Sequence, residues 1–186
     1  MEDEEKAIWK PYTTEEKKEK LAKILHKYTD QQLLMEEIQE KHYGQGIFGL
    51  LSQLTSCPMV PKDVFADALN EIKSLSQNTY IIVILERESN KTVGLGKLIL
   101  ERKITHNFLR IAHIEDIVVD SNARQKGLGT RIMNILFDIA FEIGNSYKVI
   151  LDCKPELVGF YQKCGMAKTG EIQMRKDHPR LRKSSL

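Results

Sequence analysis

The spacing of apolar residues changes along the chain, and each change marks an element. Thr13 and Glu16 have the spacing of a helix-starting capping box. Behind them Leu21, Ile24, Leu25 and Tyr28 fall at helical spacing among Glu and Lys, which predicts an amphipathic helix ahead of the main domain. Leu33 to Ile38 fits a short first strand. Ile47, Leu50, Leu51 and Leu54 predict a helix ending before Pro58, and Pro61 opens another that carries Val64, Phe65, Ala68, Leu69 and Ile72. The period then shortens. Tyr80 to Leu85 is a β-rich run, Asn90-Lys91 a turn, Val93 to Leu100 a second strand containing Gly94 and Gly96, and Ile111 to Val119 a third. Three successive strands predict an antiparallel meander. Leu128, Ile132, Ile135, Leu136, Ile139 and Ile143 share one helical face, with Gly144-Asn145 as its cap. Tyr147 to Cys153 reads as a strand, Pro155 to Gly165 as a short helix and Ala167 to Lys176 as a last strand.

This order predicts an α+β fold, with a mixed central sheet flanked by helices and an extra N-terminal helix. It divides the chain into a helical extension (1–31), one domain (32–176) and a polar basic tail (177–186).

Composition narrows the class. A chain of 186 residues suits a single core, and a net charge of +2 with dispersed basic residues does not suggest a nucleic-acid-binding protein. No window reaches the roughly 18 consecutive apolar residues of a membrane span. The acidic start, Met1-Glu2-Asp3-Glu4-Glu5, lacks the apolar core of a secretory signal. Cys57, Cys153 and Cys164 contain no Cys-x-x-Cys pair and read as reduced thiols, which predicts a cytoplasmic protein. Cys153 and Cys164 lie in apolar segments and are expected as small core residues. The five histidines are scattered, so no metal site is expected.

The chemistry begins after the third strand. Arg124-Gln125-Lys126-Gly127-Leu128-Gly129 joins that strand to the clearest helix. Backbone N–H groups at a helix N-terminus, glycines that allow close approach and two added cations make a cradle for an anion such as a pyrophosphate. The same residues also fit a basic turn capped by glycine. The loop has neither the Walker nor the dinucleotide glycine pattern.

Arg124-x-x-Gly127-x-Gly129, with this order of strands, resembles the coenzyme A loop of the GNAT N-acetyltransferases. Four further segments resemble the glucosamine 6-phosphate N-acetyltransferase family: Ile114-Glu115-Asp116-Ile117-Val118-Val119, Leu151-Asp152-Cys153-Lys154-Pro155, Val158-Gly159-Phe160-Tyr161-Gln162-Lys163-Cys164-Gly165, and Ile172-Gln173-Met174-Arg175-Lys176. The resemblance covers about Gly44 to Lys176. It departs in the first 30 or so residues, in the first strand, and at Met166, where the family usually has an aromatic.

The resemblance implies acetyl-CoA as cosubstrate, bound by Ile117, Val118, Val119, Arg124, Gln125, Lys126, Gly127, Leu128, Gly129, Thr130, Tyr161, Gln162 and Lys163. It implies a sugar-phosphate site of Lys103, His106, Glu115, Asp116, Tyr147, Lys148, Asp152 and Arg175. Asp152 would orient and deprotonate the amine, Tyr161 would stabilise or protonate the departing thiolate, and Glu115 would assist. It further implies a homodimer in which Arg175 reaches the neighbouring site, and a place in UDP-N-acetylglucosamine synthesis. The residues alone allow blander roles. Strand alternation sends Glu115 and Asp116 to opposite faces. Asp152 could cap the Pro155 helix, Tyr161 could be a core aromatic, and Lys103 and His106 could lie in a solvated loop. The extension could be a dimer arm, a partner-binding helix or merely a solvated helix. Two other functions share the loop: acetylation of another amine (protein or polyamine), or non-catalytic acyl-CoA binding.

Overall fold

The computed structural model describes residues 12–75 and 78–176. The acidic start and the tail from Asp177 lie outside the described residues. Ten main elements follow in order: α1 (Thr14–Tyr28), β1 (Leu33–Glu37), α2 (Ile47–Leu51), α3 (Lys62–Leu75), β2 (Thr79–Glu86), β3 (Lys91–Arg102), β4 (Arg110–Val119), α4 (Leu128–Asp138), β5 (Ser146–Ile150) and α5 (Val158–Lys163). The strands form one mixed sheet in sequence order, with β1 to β4 antiparallel and β5 parallel to β4.

The sheet is covered on both faces, because β2 alternates buried residues to each side. Ile82 and Ile84 join the core beneath α4, with Leu98, Ala112, Ile114, Ile132, Met133 and Leu136. Val83 and Leu85 join a second core under α2 and α3, with Leu95, Val118, Ile47, Phe48, Leu50 and Leu69. Glycines let α4 approach β3. A Cβ on Gly96 would lie 2.5 Å from Ile132 Cγ2 and 2.8 Å from Ile117 Cδ1.

The expected capping box at Thr13 is formed: Thr13 Oγ1 accepts from the Glu16 N–H at 3.2 Å and Glu16 Oε2 from the Thr13 N–H at 2.7 Å. The helix it starts is not merely solvated. Leu21 and Ile24 are buried in the α4-side core, while Lys27 Nζ and the Tyr28 hydroxyl donate to Asp138 at 2.9 and 2.8 Å.

Other expectations need correction. The helix behind Ile47 stops at Leu51, short of Leu54. The helix carrying Ile135 leaves α geometry at Asp138 and continues as a π-helical turn over Ile139–Ile143. At its end Asn145, not Gly144, takes the left-handed position (φ 47°). Gly144 serves packing instead, since a Cβ there would lie 2.5 Å from the Ala140 carbonyl oxygen and 2.7 Å from Leu100 Cδ2. Residues 167–176 form no strand. A strand needs a hydrogen-bonded neighbour, and among the described residues β5 pairs only with β4. In this segment Ile172 and Met174 are 83% and 89% exposed.

Candidate active site

β4 carries an irregularity that shapes everything beside it. Leu95 pairs with Val118 and Lys97 with Glu115, so Gly96 stands opposite both Asp116 and Ile117. Asp116 absorbs the extra residue with φ 53°. Such a bulge breaks the two-residue alternation, so the expectation of opposite faces for Glu115 and Asp116 does not hold. Both side chains are exposed, and Asp116 lies 3.7 Å from Lys97 Nζ. Neither carboxylate is therefore an unpaired charge inside the core.

The parallel ladder between β4 and β5 runs from Arg110↔Ser146 to His113↔Ile150 and ends there, while β4 continues to Val119. Beyond that point the edge of β4 is no longer covered by β5. Glu115 and Asp152 each lie two residues past the last pair, on the two sides of this opening. Ile117, Val118 and Val119 follow along the same free edge.

From Val119 the chain enters the expected loop. A 3-10 turn over Ser121–Ala123 precedes Arg124, whose Nε donates to the Val119 carbonyl at 3.1 Å. Gln125 (φ 61°) and Gly127 (φ 77°) take left-handed geometry, which costs a residue with a side chain and suits glycine. Gly127 is the N-cap of α4, no side chain caps this end, and no atom lies within 4 Å of a Cβ placed on it. The first-turn N–H groups take no cap bond from this residue, and the helix dipole there favours an anion. Leu128 is buried and anchors the turn, whereas Arg124, Gln125, Lys126 and Thr130 are exposed around it.

α5 packs against this corner. A Cβ on Gly129 would lie 3.1 Å from Phe160 Cζ, and the Phe160 and Tyr161 ring centroids are 4.9 Å apart. Tyr161 is half-buried against the core, yet its phenol also feels the Cys153 and Cys164 thiols. Burial first, then the two sulfurs, push its pKa above the ordinary tyrosine value, so it stays a proton donor at neutral pH. Gln162 and Lys163 are exposed on the same helix. Cys153 is exposed at the opening rather than a core residue, because β5 has already ended.

Asp152 does not cap a helix. Lys154 is the N-cap of the 3-10 turn at Pro155, and Asp152 Oδ2 instead accepts from Gln173 Nε2 at 2.7 Å. That contact brings the segment containing Arg175 beside Asp152. Arg175 itself is exposed and outside any strand.

A second group forms where the β3–β4 connection meets β5. The His106 and Tyr147 rings lie 4.8 Å apart, and Lys148 Nζ is 5.8 Å from the Tyr147 ring. Glu101 joins Lys103 Nζ at 2.6 Å to His113 Nε2 at 2.8 Å. The connection is therefore organised rather than simply solvated. His106, Asn107 and Phe108 all have φ between 52° and 59°, a left-handed turn that stores strain.

Sequence reasoning found the loop, both ends of the opening and this cationic group. It missed Glu101, and it missed Gln53, Lys91 and Asp120, which meet at the start of the loop. An Asp directly after an apolar strand was the visible signal for Asp120, whereas nothing local marks Gln53. Among the described residues no helix is long and apolar enough to cross a membrane, and no group of three or more His, Cys, Asp or Glu side chains could hold a metal ion.

Comparison with known proteins agrees with this geometry. Residues 48–166 match the acetyltransferase (GNAT) family. A glucosamine 6-phosphate N-acetyltransferase from Arabidopsis thaliana is 41% identical over 75% of this chain and 91% of its own length. A probable glucosamine 6-phosphate N-acetyltransferase from Oryza sativa subsp. japonica is 39% identical over 71% of this chain and 80% of its own. The crystal structure of glucosamine-6-phosphate N-acetyltransferase from Arabidopsis thaliana superimposes with a TM-score of 0.74 at 37% identity, covering 78% of this chain and 97% of that one. By sequence, by fold and by the opening between β4 and β5, this chain belongs to the GNAT acetyltransferase family and, within it, to the glucosamine 6-phosphate N-acetyltransferases.

Proposed function

We propose that this chain transfers the acetyl group of acetyl-CoA to the amine of D-glucosamine 6-phosphate, giving N-acetyl-D-glucosamine 6-phosphate and CoA, by direct attack in a ternary complex. The observation that carries the reading is the opening beyond His113 and Ile150, beside the uncapped start of α4, with the His106–Tyr147–Lys148 group at the start of the same strand pair. The pyrophosphate of acetyl-CoA lies on the N–H groups of Gly127 to Thr130, with Arg124, Gln125 and Lys126 around it, and its arm runs along Ile117, Val118 and Val119 and against Gln162 and Lys163. The sugar binds between Glu115, Asp116 and Asp152, with its phosphate toward Lys103, His106, Tyr147 and Lys148.

The amine nitrogen attacks the thioester carbonyl carbon. The C–N bond forms and the C–S bond breaks. Asp152 takes the amine proton, directly or through water, Glu115 helps orient the amine, and Tyr161 gives its phenolic proton to the departing thiolate. The raised Tyr161 pKa keeps the phenol protonated until that step. Residues 32–176 form the catalytic domain and 1–31 an added extension. The enzyme is a cytoplasmic homodimer feeding UDP-N-acetylglucosamine synthesis, and Arg175 reaches the phosphate in the neighbouring site. The bidentate guanidinium suits that ligand.

Thiol release from acetyl-CoA, measured with glucosamine 6-phosphate beside glucosamine, tests the proposal. Fast release requiring the phosphate is expected. Preference for an unphosphorylated amine reassigns the acceptor, and CoA binding without turnover on any amine leaves only an acyl-CoA-binding module.

A further inference from the structure

The loop ahead of α4 is fixed at its far end by its own helix, through buried Leu128. Its near end is fixed by a side chain remote in sequence. Gln53 lies in the turn after α2. Its Oε1 accepts from the Ser121 N–H at 2.8 Å, and its Nε2 donates to Asp120 Oδ2 at 3.3 Å. One amide thus grips two consecutive residues at the point where β4 ends.

Asp120 makes this grip more than a surface contact. Its side chain is only 4% exposed. Oδ1 accepts from the Asn122 N–H at 2.9 Å and Oδ2 from Lys91 Nζ at 3.0 Å. Its backbone N–H donates to the Val93 carbonyl at 2.9 Å, and its carbonyl accepts from the Ala123 N–H at 2.8 Å. A carboxylate so buried is tolerable only with partners like these, and each partner has one geometry that satisfies it. Residues 120–123 are therefore locked to the start of β3 and to the α2 turn. Between this lock and α4 only Arg124 to Gly127 remain. N–H groups that must converge on one phosphate need both ends of so short a span held.

We propose that Gln53 and Asp120 are positioning residues for the acetyl-CoA loop, with the Gln53 amide setting where the loop leaves β4. The inference rests on the reading of that loop as the acetyl-CoA site. Neither residue touches the reacting atoms.

Gln53 is exposed, so its replacement spares the core. CoA binding is measured by calorimetry on the full chain, wild type against Gln53→Ala and Gln53→Glu, with steady-state kinetics alongside. Gln53→Ala is expected to weaken CoA binding and raise the acetyl-CoA KM about three- to tenfold, while kcat and the amine KM stay within about twofold. Gln53→Glu keeps an acceptor for Ser121 but sets a carboxylate against Asp120, so its loss is at least as large. Tight CoA binding by the wild type with unchanged affinity in both variants overturns the inference alone. Absence of CoA binding by the wild type removes the loop assignment and the inference with it. An equal rise in both KM values assigns Gln53 a general structural role instead and also overturns it.

Discussion

Asp152 accepts a 2.7 Å hydrogen bond from the Gln173 side-chain amide, which ties the expected base to a segment that, among the described residues, pairs with no strand. The carboxylate is exposed at the opening and caps no helix. Asp152→Asn keeps the size and the Gln173 neighbour but removes the base. It is expected to lower kcat about 10²- to 10⁴-fold, the range of general acid–base contributions, with the melting temperature nearly unchanged. Tyr161→Phe should lower kcat while leaving CoA affinity within about twofold, because the ring packing is kept. Thiol-release kinetics and calorimetry check both, and full activity in Asp152→Asn would remove Asp152 from the chemistry.

The role in trans given to Arg175 has its own test. Arg175→Ala and Asp152→Asn each inactivate a homodimer if the arginine serves the neighbouring site. In a mixed dimer, one site has both residues intact. Mixing the two inactive variants after subunit exchange should therefore restore roughly a quarter of wild-type activity, from half the dimers carrying one good site of two. No recovery, with exchange verified by mass, places Arg175 in its own subunit's site.

Gly96 stands opposite the bulge and beneath α4. A methyl group there would lie 2.5 Å from Ile132 Cγ2, 2.8 Å from Ile117 Cδ1 and 3.1 Å from Leu136 Cδ1. Ile132 and Leu136 are fully buried, so they have little room to yield. Gly96→Ala is expected to destabilise by about 1–3 kcal/mol through overpacking. It should also raise the acetyl-CoA KM, because Ile117 lies on the free edge of β4. Thermal denaturation with kinetics reads both effects. A stability equal to wild type would mean that α4 approaches β3 less closely than described.

These cases show which features are legible in sequence. The runs Tyr80 to Leu85 and Ile111 to Val119 and the Thr13–Glu16 box are local patterns that became the elements they predict, whereas the helical face from Leu128 to Ile143 became an α-helix only as far as Asp138 and a π turn beyond it. The Asp116 bulge was hidden because no glycine marks its left-handed residue. The strand expected at Ala167 to Lys176 has strand-like alternation at Ile172 and Met174, but pairing depends on a neighbour that local pattern cannot supply. The Gln53–Asp120 contact spans 67 residues and is a product of the fold alone. At the site, loop spacing alone pointed to an anion cradle and the resemblance to the family supplied the expected chemistry, whereas the β4–β5 parting beside Glu115 and Asp152 emerged only from the register.

Tyr80 predicts how stability responds to alkali. The phenol is buried, and burial together with the nearby Glu37 carboxylate raises its pKa from 10.0 to about 12, against a smaller opposing pull from Arg110. The folded state therefore holds this proton more tightly than the unfolded chain. The resulting stabilisation is complete below the unfolded pKa and is lost as pH rises through the folded one, a window from about pH 10 to about 12. Two pKa units correspond to roughly 2–3 kcal/mol. Denaturant unfolding at several pH values should show wild type losing about that much more than Tyr80→Phe across the window. Parallel curves would mean that Tyr80 ionises freely in the folded protein.

α1 lies outside the part of the chain that resembles the family. Ile24 is 4% exposed and Leu21 8% exposed, both within the core that contains Ile132 and Leu136 of α4. Lys27 is largely exposed, although its Nζ pairs with Asp138 at 2.9 Å. The two contacts should differ sharply in worth. Ile24→Ala removes buried methyl groups from a packed interface and is expected to cost about 2–4 kcal/mol. Lys27→Ala breaks a solvent-screened pair and should cost less than about 1 kcal/mol. The Tyr28 carbonyl accepts from Arg131 at 3.3 Å, one residue past Thr130, and the Ile24 side chain takes no part in that bond, so kcat and both KM values of Ile24→Ala should match wild type well below its melting temperature. Denaturation midpoints and kinetics at 15–20 °C decide it. Equal stability of the two variants would make α1 a loosely attached helix, and altered kinetics without loss of stability would tie the extension to the active site rather than to the core.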